Sequence, residues 1–250
     1  MLLENRAPDS NNEPLASSRR RLTPTPGGDP VLRAPLFEAL DEDAANAVRG
    51  SMVEVHLGRG QVLFREGDHG DRLYVVAEGK LKVGRTSRDG REQLLSVLGP
   101  GEMFGELTVF DPTARMGTAI AVTDCRLYSL SADNLRPWLA ERPDVGLALL
   151  RQLSRRLRKS SEIVSDLVFS DVPGRVAKCL MDLSARFGRP IEGGVHVAHD
   201  LTQEELAQLV GASRETVNKA LADFGARGWL RVEGRAVVLI DLERLARRAR

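Results

Sequence analysis

Residues 199–240 read "HDLTQEELAQLVGASRETVNKALADFGARGWLRVEGRAVVLI", and the way this stretch folds decides the architecture. Thr202 followed by Glu205 is a capping box, which opens a helix by satisfying its first N–H groups. Leu206, Leu209 and Val210 form an apolar stripe behind it, and Gly211 supplies the residue at which the helix can stop. Ser213 then caps a second helix. At about 100° per residue, Val217, Ala220, Leu221 and Phe224 gather on one side and Arg214, Glu215, Asn218 and Lys219 on roughly the other. Two short helices joined through Gly211 and Ala212, the second with an outward face of hydrogen-bonding side chains, predict a helix-turn-helix. "WLRVEGRAVVLI" follows as a hairpin turning near Gly234, a wing.

The chemistry of that face suits double-stranded DNA. Arginine pairs with guanine O6 and N7 in the major groove, glutamate accepts from cytosine N4, and lysine serves a guanine or a phosphate. The free N–H groups at the helix start suit a phosphate. Arg231 and Arg235 on the hairpin would touch the backbone and fix register without reading sequence. A three-helix packing unit whose polar face merely meets water is the plain alternative.

The totals frame this module. A chain of 250 residues has room for two ordinary domains. An apolar content of 42 % with 28 % charged residues describes a soluble globular protein. A net charge of +1 does not by itself announce a nucleic-acid partner. Cys125 and Cys179 stand far apart with no CxxC spacing, which argues against a zinc ribbon, a disulfide framework or an iron–sulfur sensor. His56, His69, His196 and His199 complete no metal or catalytic constellation, and no P-loop or Ser/His/Asp pattern supports turnover, so neither a metal nor an enzyme is expected. No apolar run reaches membrane-spanning length and the first residues lack a secretion signal, so a cytoplasmic protein without membrane contact is expected.

Composition divides the rest. Residues 1–33, rich in Pro, Ser, Asn and Arg, cannot bury enough apolar surface to offset their ordering entropy and read as a disordered extension. Its triplet Arg19-Arg20-Arg21 could touch nucleic acid or simply be solvated. Residues 36–50 look like a short helix. From there to about 131, short strands such as "VEVHL" and "RLYVVAEGKLKVGR" are punctuated by glycines, the style of a small antiparallel barrel or jelly roll. Leu150, Leu153, Leu157, Ser160, Val164 and Leu167 then recur at steps of three and four, a heptad seam with Pro143 tolerated at the helix start. One long amphipathic helix lying on its own barrel gives the same pattern; a two-helix dimer seam is favoured because the repeat outlasts one small barrel face. Ser160 gives up apolar burial in that seam, so it and Ser161 look like a binding feature. The expected class is α+β: a jelly-roll domain at 34–142, a dimerisation helix at 143–169 and a winged helix-turn-helix domain at 170–250.

One further stretch, "GELTVFDPTARMG" (105–117), places Arg115 in a run with no other positive charge. "GELTVFDPTAR", the helix ending "SSEIVSDLVFSDVPGRVAK", and "LTQEELAQLVGASRETVNKAL" together resemble the cyclic-AMP receptor protein/FNR family of bacterial transcription regulators. The resemblance covers about residues 34–250, and its C-terminal portion is similar to the cyclic-AMP-receptor-like global regulators of high-GC Gram-positive bacteria.

The resemblance implies a cyclic-nucleotide-binding barrel, cAMP as an allosteric ligand, a homodimer paired through the long helix, and RNA polymerase as a partner. It also implies a palindromic operator of the TGTGA-spacer-TCACA kind, with recognition helices in successive major grooves. Its ligand residues would be Gly105, Glu106, Leu107, Arg115, Met116 and Ser160, with Ser161 from the partner subunit. Glu106 would accept from the ribose 2′-hydroxyl, Arg115 would pair with the cyclic phosphate, and the serines would meet the adenine edge. Its DNA residues would be Thr202, Gln203, Ser213, Arg214, Glu215, Thr216, Asn218, Lys219 and Arg235. Lys219 stands where many relatives have arginine, so readout there loses a bidentate fork. Met116 departs from the usual Ser or Thr; a missing hydrogen bond to a charged group weakens binding by about 1.5–3 kcal/mol. Thr118 is a candidate substitute hydroxyl. If Met116 abolishes the cAMP response, the DNA role stands without a ligand or with another nucleotide.

Overall fold

Period-two alternation between Val53 and Ser131 yields eight strands in the computed structural model, which describes residues 29–249. They are β1 (Val53–Leu57), β2 (Val62–Phe64), β3 (Arg72–Glu78), β4 (Leu81–Thr86), β5 (Glu92–Leu98), β6 (Met103–Phe104), β7 (Thr118–Ala121) and β8 (Cys125–Ser131). They form two antiparallel sheets, β1-β8-β3-β6 and β2-β7-β4-β5. Leu57, Tyr74, Val76, Leu81, Leu98, Phe104 and Leu127 fill the space between the sheets. On β3 and β8 the outward residues Leu73, Val75 and Leu130 are buried too, under helices. These are α1 (Glu42–Gly50), α3 (Ala132–Glu141) and the start of α4 (Pro143–Phe169), while the short α2 (Leu107–Phe110) lies between β6 and β7.

Two expectations about the N-terminal part need correction. The helix expected over 36–50 is a 3₁₀ turn at Pro35–Phe37, a break, and α1. Asp41 restarts the helix because its side chain accepts from Ala44 N–H at 2.9 Å. The extension expected to run to residue 33 gives way to structure at its end. Pro30–Arg33 is a 3₁₀ helix that buries Val31, and Arg49 Nε donates to Asp29 at 3.0 Å. Residues 1–28, with the arginine triplet, lie outside the described residues.

The long helix has two characters. Val145, Ala148 and Leu149 are buried against the barrel. Farther along, Leu150, Leu157, Ile163, Val164, Leu167 and Val168 are exposed, and Phe169 is 83 % exposed.

The C-terminal unit comprises α5 (Val172–Phe187), β9 (Gly188–Ile191), β10 (Gly194–Ala198), α6 (Gln203–Val210), α7 (Arg214–Ala226), β11 (Leu230–Glu233), β12 (Ala236–Leu239) and α8 (Leu242–Arg248). Its core gathers Leu180, Leu183, Leu206, Val217, Leu221, Phe224 and Leu239. The two wing strands pair with the β9–β10 hairpin in one sheet, order β11-β12-β10-β9. This unit docks on the barrel: Leu94, Val97 and Val122 pack with Leu201. Lys80, just before β4, and Lys82 on β4 form ion pairs with Asp200 and Glu205. Asp200 takes a left-handed conformation (φ 61°), which Asp tolerates better than most residues.

Candidate functional site

Arg115 lies just before β7 and is only 5 % exposed. Its Nη1 donates to Gly105 O at 2.9 Å and its Nη2 to Arg72 O at 2.8 Å. The guanidinium stacks 4.4 Å over the Phe64 ring and 5.7 Å from that of Tyr74. Burial lowers its pKa, and carbonyls rather than a carboxylate hold it. Nε is buried and has no partner. A buried donor on a charged group left unmet costs about 1–3 kcal/mol or more, so the arrangement suits an anionic acceptor.

Glu106 is 1 % exposed. One carboxylate oxygen takes Arg156 Nη1, while Arg156 Nη2 donates to Met103 O. The other, Oε2, is buried without a donor. Arg115 and Arg156 thus approach the Met103–Glu106 stretch separately, one from the barrel and one from α4. The three side chains sum to one positive charge, the complement of a monoanion. Gly105 permits the close approach: its φ is +79°, and a Cβ there would lie 2.8 Å from Arg115 Nη1.

The remaining expected ligand residues are less engaged. Leu107 opens α2 and is exposed. Met116 is 56 % exposed. Thr118 Oγ1 is already used, accepting from Glu66 N–H at 3.0 Å. Ser160 and Ser161 are exposed on α4, and Ser161 Oγ donates back to Leu157 O at 3.0 Å. Within one chain neither serine meets Arg115 or Glu106 among the described contacts.

Arg156 is the site residue that sequence reasoning missed. A signal existed: it precedes Ser160 by four, hence shares its helix face, and a buried Glu106 demands a cation.

In the C-terminal unit, Thr202 Oγ1 accepts from Glu205 N–H at 3.1 Å, and Glu205 Oε2 accepts from Thr202 N–H at 2.7 Å. The capping box is complete, and Gly211 ends α6 with φ 71°. Ser213 caps α7 through Thr216 N–H at 3.2 Å. Arg214, Glu215, Thr216 and Lys219 are exposed on α7, and Arg235 is exposed at the wing. Lys219 Nζ sits 2.6 Å from Glu215 Oε1. Thr202 and Gln203 are half-buried. Asn218 departs from the outward face expected of it. It is half-buried with an unpartnered Oδ1, and it lines with Gln203, Leu221 and Arg231 a groove of about 500 Å³ between α7 and the wing. It sits at the border between the apolar and polar sides of α7, where the groove runs beside the wing strand β11. Among the described residues no group of His, Cys, Asp and Glu could hold a metal, and no helix is long and apolar enough to cross a membrane.

A barrel with a buried, half-satisfied charged cluster, joined by one long helix to a winged helix-turn-helix, is the architecture of a ligand-responsive DNA-binding regulator. A cyclic nucleotide-binding domain matches residues 54–142 and a Crp-like helix-turn-helix domain matches residues 174–248. The chain is 53 % identical over 220 residues to a CRP-like cAMP-activated global transcriptional regulator of Mycobacterium tuberculosis, covering 88 % of this chain and 98 % of that one. It is 32 % identical to the cyclic AMP receptor protein of Thermus thermophilus, covering 83 % and 95 %. Among solved structures it is similar to the c-di-GMP-responsive global regulator CLP of Xanthomonas campestris, with TM-score 0.66, 29 % identity and coverage of 80 % and 99 %. The chain belongs to the CRP/FNR family of transcription regulators. Its relatives are regulators rather than enzymes, which sets aside a catalytic reading of the histidines.

Proposed function

We propose that this chain is a cytoplasmic, homodimeric regulator that binds cAMP in its barrel and a palindromic operator with TGTGA-type half-sites through α7, acting on transcription with RNA polymerase. One observation carries the ligand half. Two buried atoms of opposite character lack partners around the Gly105–Glu106 turn: the donor Arg115 Nε and the acceptor Glu106 Oε2. A cyclic nucleotide offers an anionic phosphate to the first and a ribose hydroxyl to the second. Arg156 ties that same carboxylate to α4, so filling the pocket bears on the helix that leads to the DNA-binding unit.

The exposed apolar row from Leu150 to Phe169 supports pairing of two copies along α4, because solitary chains rarely leave such a stripe in water. Ser160 and Ser161 would then lie at the junction of pocket and seam, within reach of the base. On the DNA side, Arg214, Glu215 and Lys219 would read base edges, while Thr202, Gln203, Ser213, Thr216, Asn218 and Arg235 would set register on phosphates. Calorimetry with cAMP and cGMP, together with operator-shift assays, tests both halves. Heat with cAMP and selective retention of the palindrome support the reading; no heat with either nucleotide rejects the ligand half.

Met116 favours a second reading. Its exposed thioether offers no donor to a phosphate, and Thr118 is otherwise engaged. A regulator binding DNA without a ligand, or answering another nucleotide, would then bind the operator strongly with no cAMP present.

A further inference from the structure

Gly70 lies buried in the loop between β2 and β3, outside every residue set considered above. A Cβ built on it would lie 2.4 Å from Thr108 Oγ1, 2.5 Å from Arg115 Nε and 2.7 Å from Arg115 Cζ. At another edge of the same guanidinium, a Cβ on Gly105 would lie 2.8 Å from Nη1. The arginine therefore abuts two glycines. Gly105 has a second reason to be glycine, its positive φ; Gly70 is absent from the positive-φ residues, so the space beside Arg115 and Thr108 is what its missing side chain supplies.

The surroundings cannot easily yield. Arg115 N–H donates to Asp68 O at 2.8 Å, and Gly67 N–H donates to Arg115 O at 2.9 Å. His69 bridges to Ala114. These bonds hold the loop against the strand that carries the arginine. Thr108 Oγ1 donates at 3.2 Å to Gly105 O, the same carbonyl that takes Arg115 Nη1. With the loop tied, a side chain at position 70 would press on Thr108 Oγ1 and the guanidinium together, and both share the Gly105 carbonyl, so it disturbs the seat of Arg115.

We propose that Gly70 is a positioning residue for the ligand anion: it keeps open the slot in which Arg115 rests on two carbonyls with Nε free for a phosphate. The inference rests on the cyclic-nucleotide reading for its consequence, and its geometric part is measurable without any ligand.

The experiment compares the full-length protein with Gly70→Ala. In ligand-free protein, NMR should find a slowly exchanging arginine Nε–H that vanishes in Arg115→Lys. Gly70→Ala should shift that resonance and speed its exchange. By calorimetry, Gly70→Ala should weaken cAMP binding roughly tenfold or more, the scale of one lost charge-assisted bond. The same substitution in the Arg115→Lys background should change the remaining affinity little, since an ammonium needs no planar slot. An unaltered Nε–H signal, an unaltered affinity, or an equal loss in both backgrounds overturns the proposal. A wild-type protein that binds no cyclic nucleotide defeats the functional reading, while the NMR comparison still decides the slot. If Gly70→Ala does not fold, Gly70→Ala/Thr108→Ala removes the 2.4 Å conflict and retains the one with Arg115, so the same outcomes apply.

Discussion

The barrel pocket and the α7 face present charged groups in opposite conditions. In the pocket, Arg115 and Glu106 are 5 % and 1 % exposed, and each keeps one buried atom unmet. On α7, Arg214, Glu215 and Lys219 stand in water, and the last two neutralise each other at 2.6 Å. The difference follows from the two kinds of partner. A small ligand fits inside a fold that has already stripped water from the groups awaiting it. A DNA duplex is wider than any cleft this chain could close, so residues proposed to read it would stay solvated and give up water only on docking. Buried groups should therefore dominate ligand affinity and stability, and exposed ones should matter for DNA alone.

The largest effect expected is on the pocket. Arg115→Ala should lower cAMP affinity about a hundredfold, since it removes a desolvated charge-assisted contact; calorimetry finding near-normal affinity would break the contrast. Next comes a buried group at the junction of the two units. His199 is buried and its Nδ1 accepts from Leu201 N–H at 3.1 Å, as a neutral ring must. Burial pushes its pKa down to about 4. The sign then follows. Above the unfolded value near 6.5 both states are neutral and stability is intact. As pH falls from there toward 4, the unfolded chain takes a proton that the folded one refuses. Stability should decline by roughly 3 kcal/mol across that window, and urea midpoints of His199→Gln should fall less steeply with acid.

Smaller effects belong to the exposed face. Arg214→Ala should narrow the gap between palindromic and scrambled duplexes by about 1–3 kcal/mol, measured by competition at fixed salt, while leaving the melting temperature in place. Glu215→Ala should alter stability by less than about 0.5 kcal/mol, because its pair with Lys219 is solvent-exposed. A large stability loss there would erase the distinction between the two regions.

How much the sequence disclosed follows the same division. Local signals are written in neighbouring residues. The capping box of Thr202 and Glu205, the stop at Gly211 and the cap at Ser213 all appear in the structure at those positions. The heptad row was legible for the same reason: its residues repeat along one helix. What stayed hidden depends on distant chain segments meeting. Arg156 reaches Glu106 across 50 positions, Gly70 touches Arg115 across 45, and Lys80 and Lys82 reach Asp200 and Glu205 across more than 100. The β9–β10 hairpin escaped notice because "GRPIEGGVHVA" has a weak alternation, its pairing being fixed by the neighbouring wing strand β12. Helical angle places Asn218 on the open face, whereas the folded wing puts it in a groove with Arg231 and Val232.

The most direct test of the account is operator affinity with and without cAMP, by fluorescence anisotropy at one stated salt concentration, on wild-type protein and Arg115→Ala side by side. The account predicts that cAMP tightens binding of a TGTGA-type palindrome by the wild type and leaves Arg115→Ala unmoved. Equal operator affinity for the wild type in the presence and absence of cAMP would contradict it.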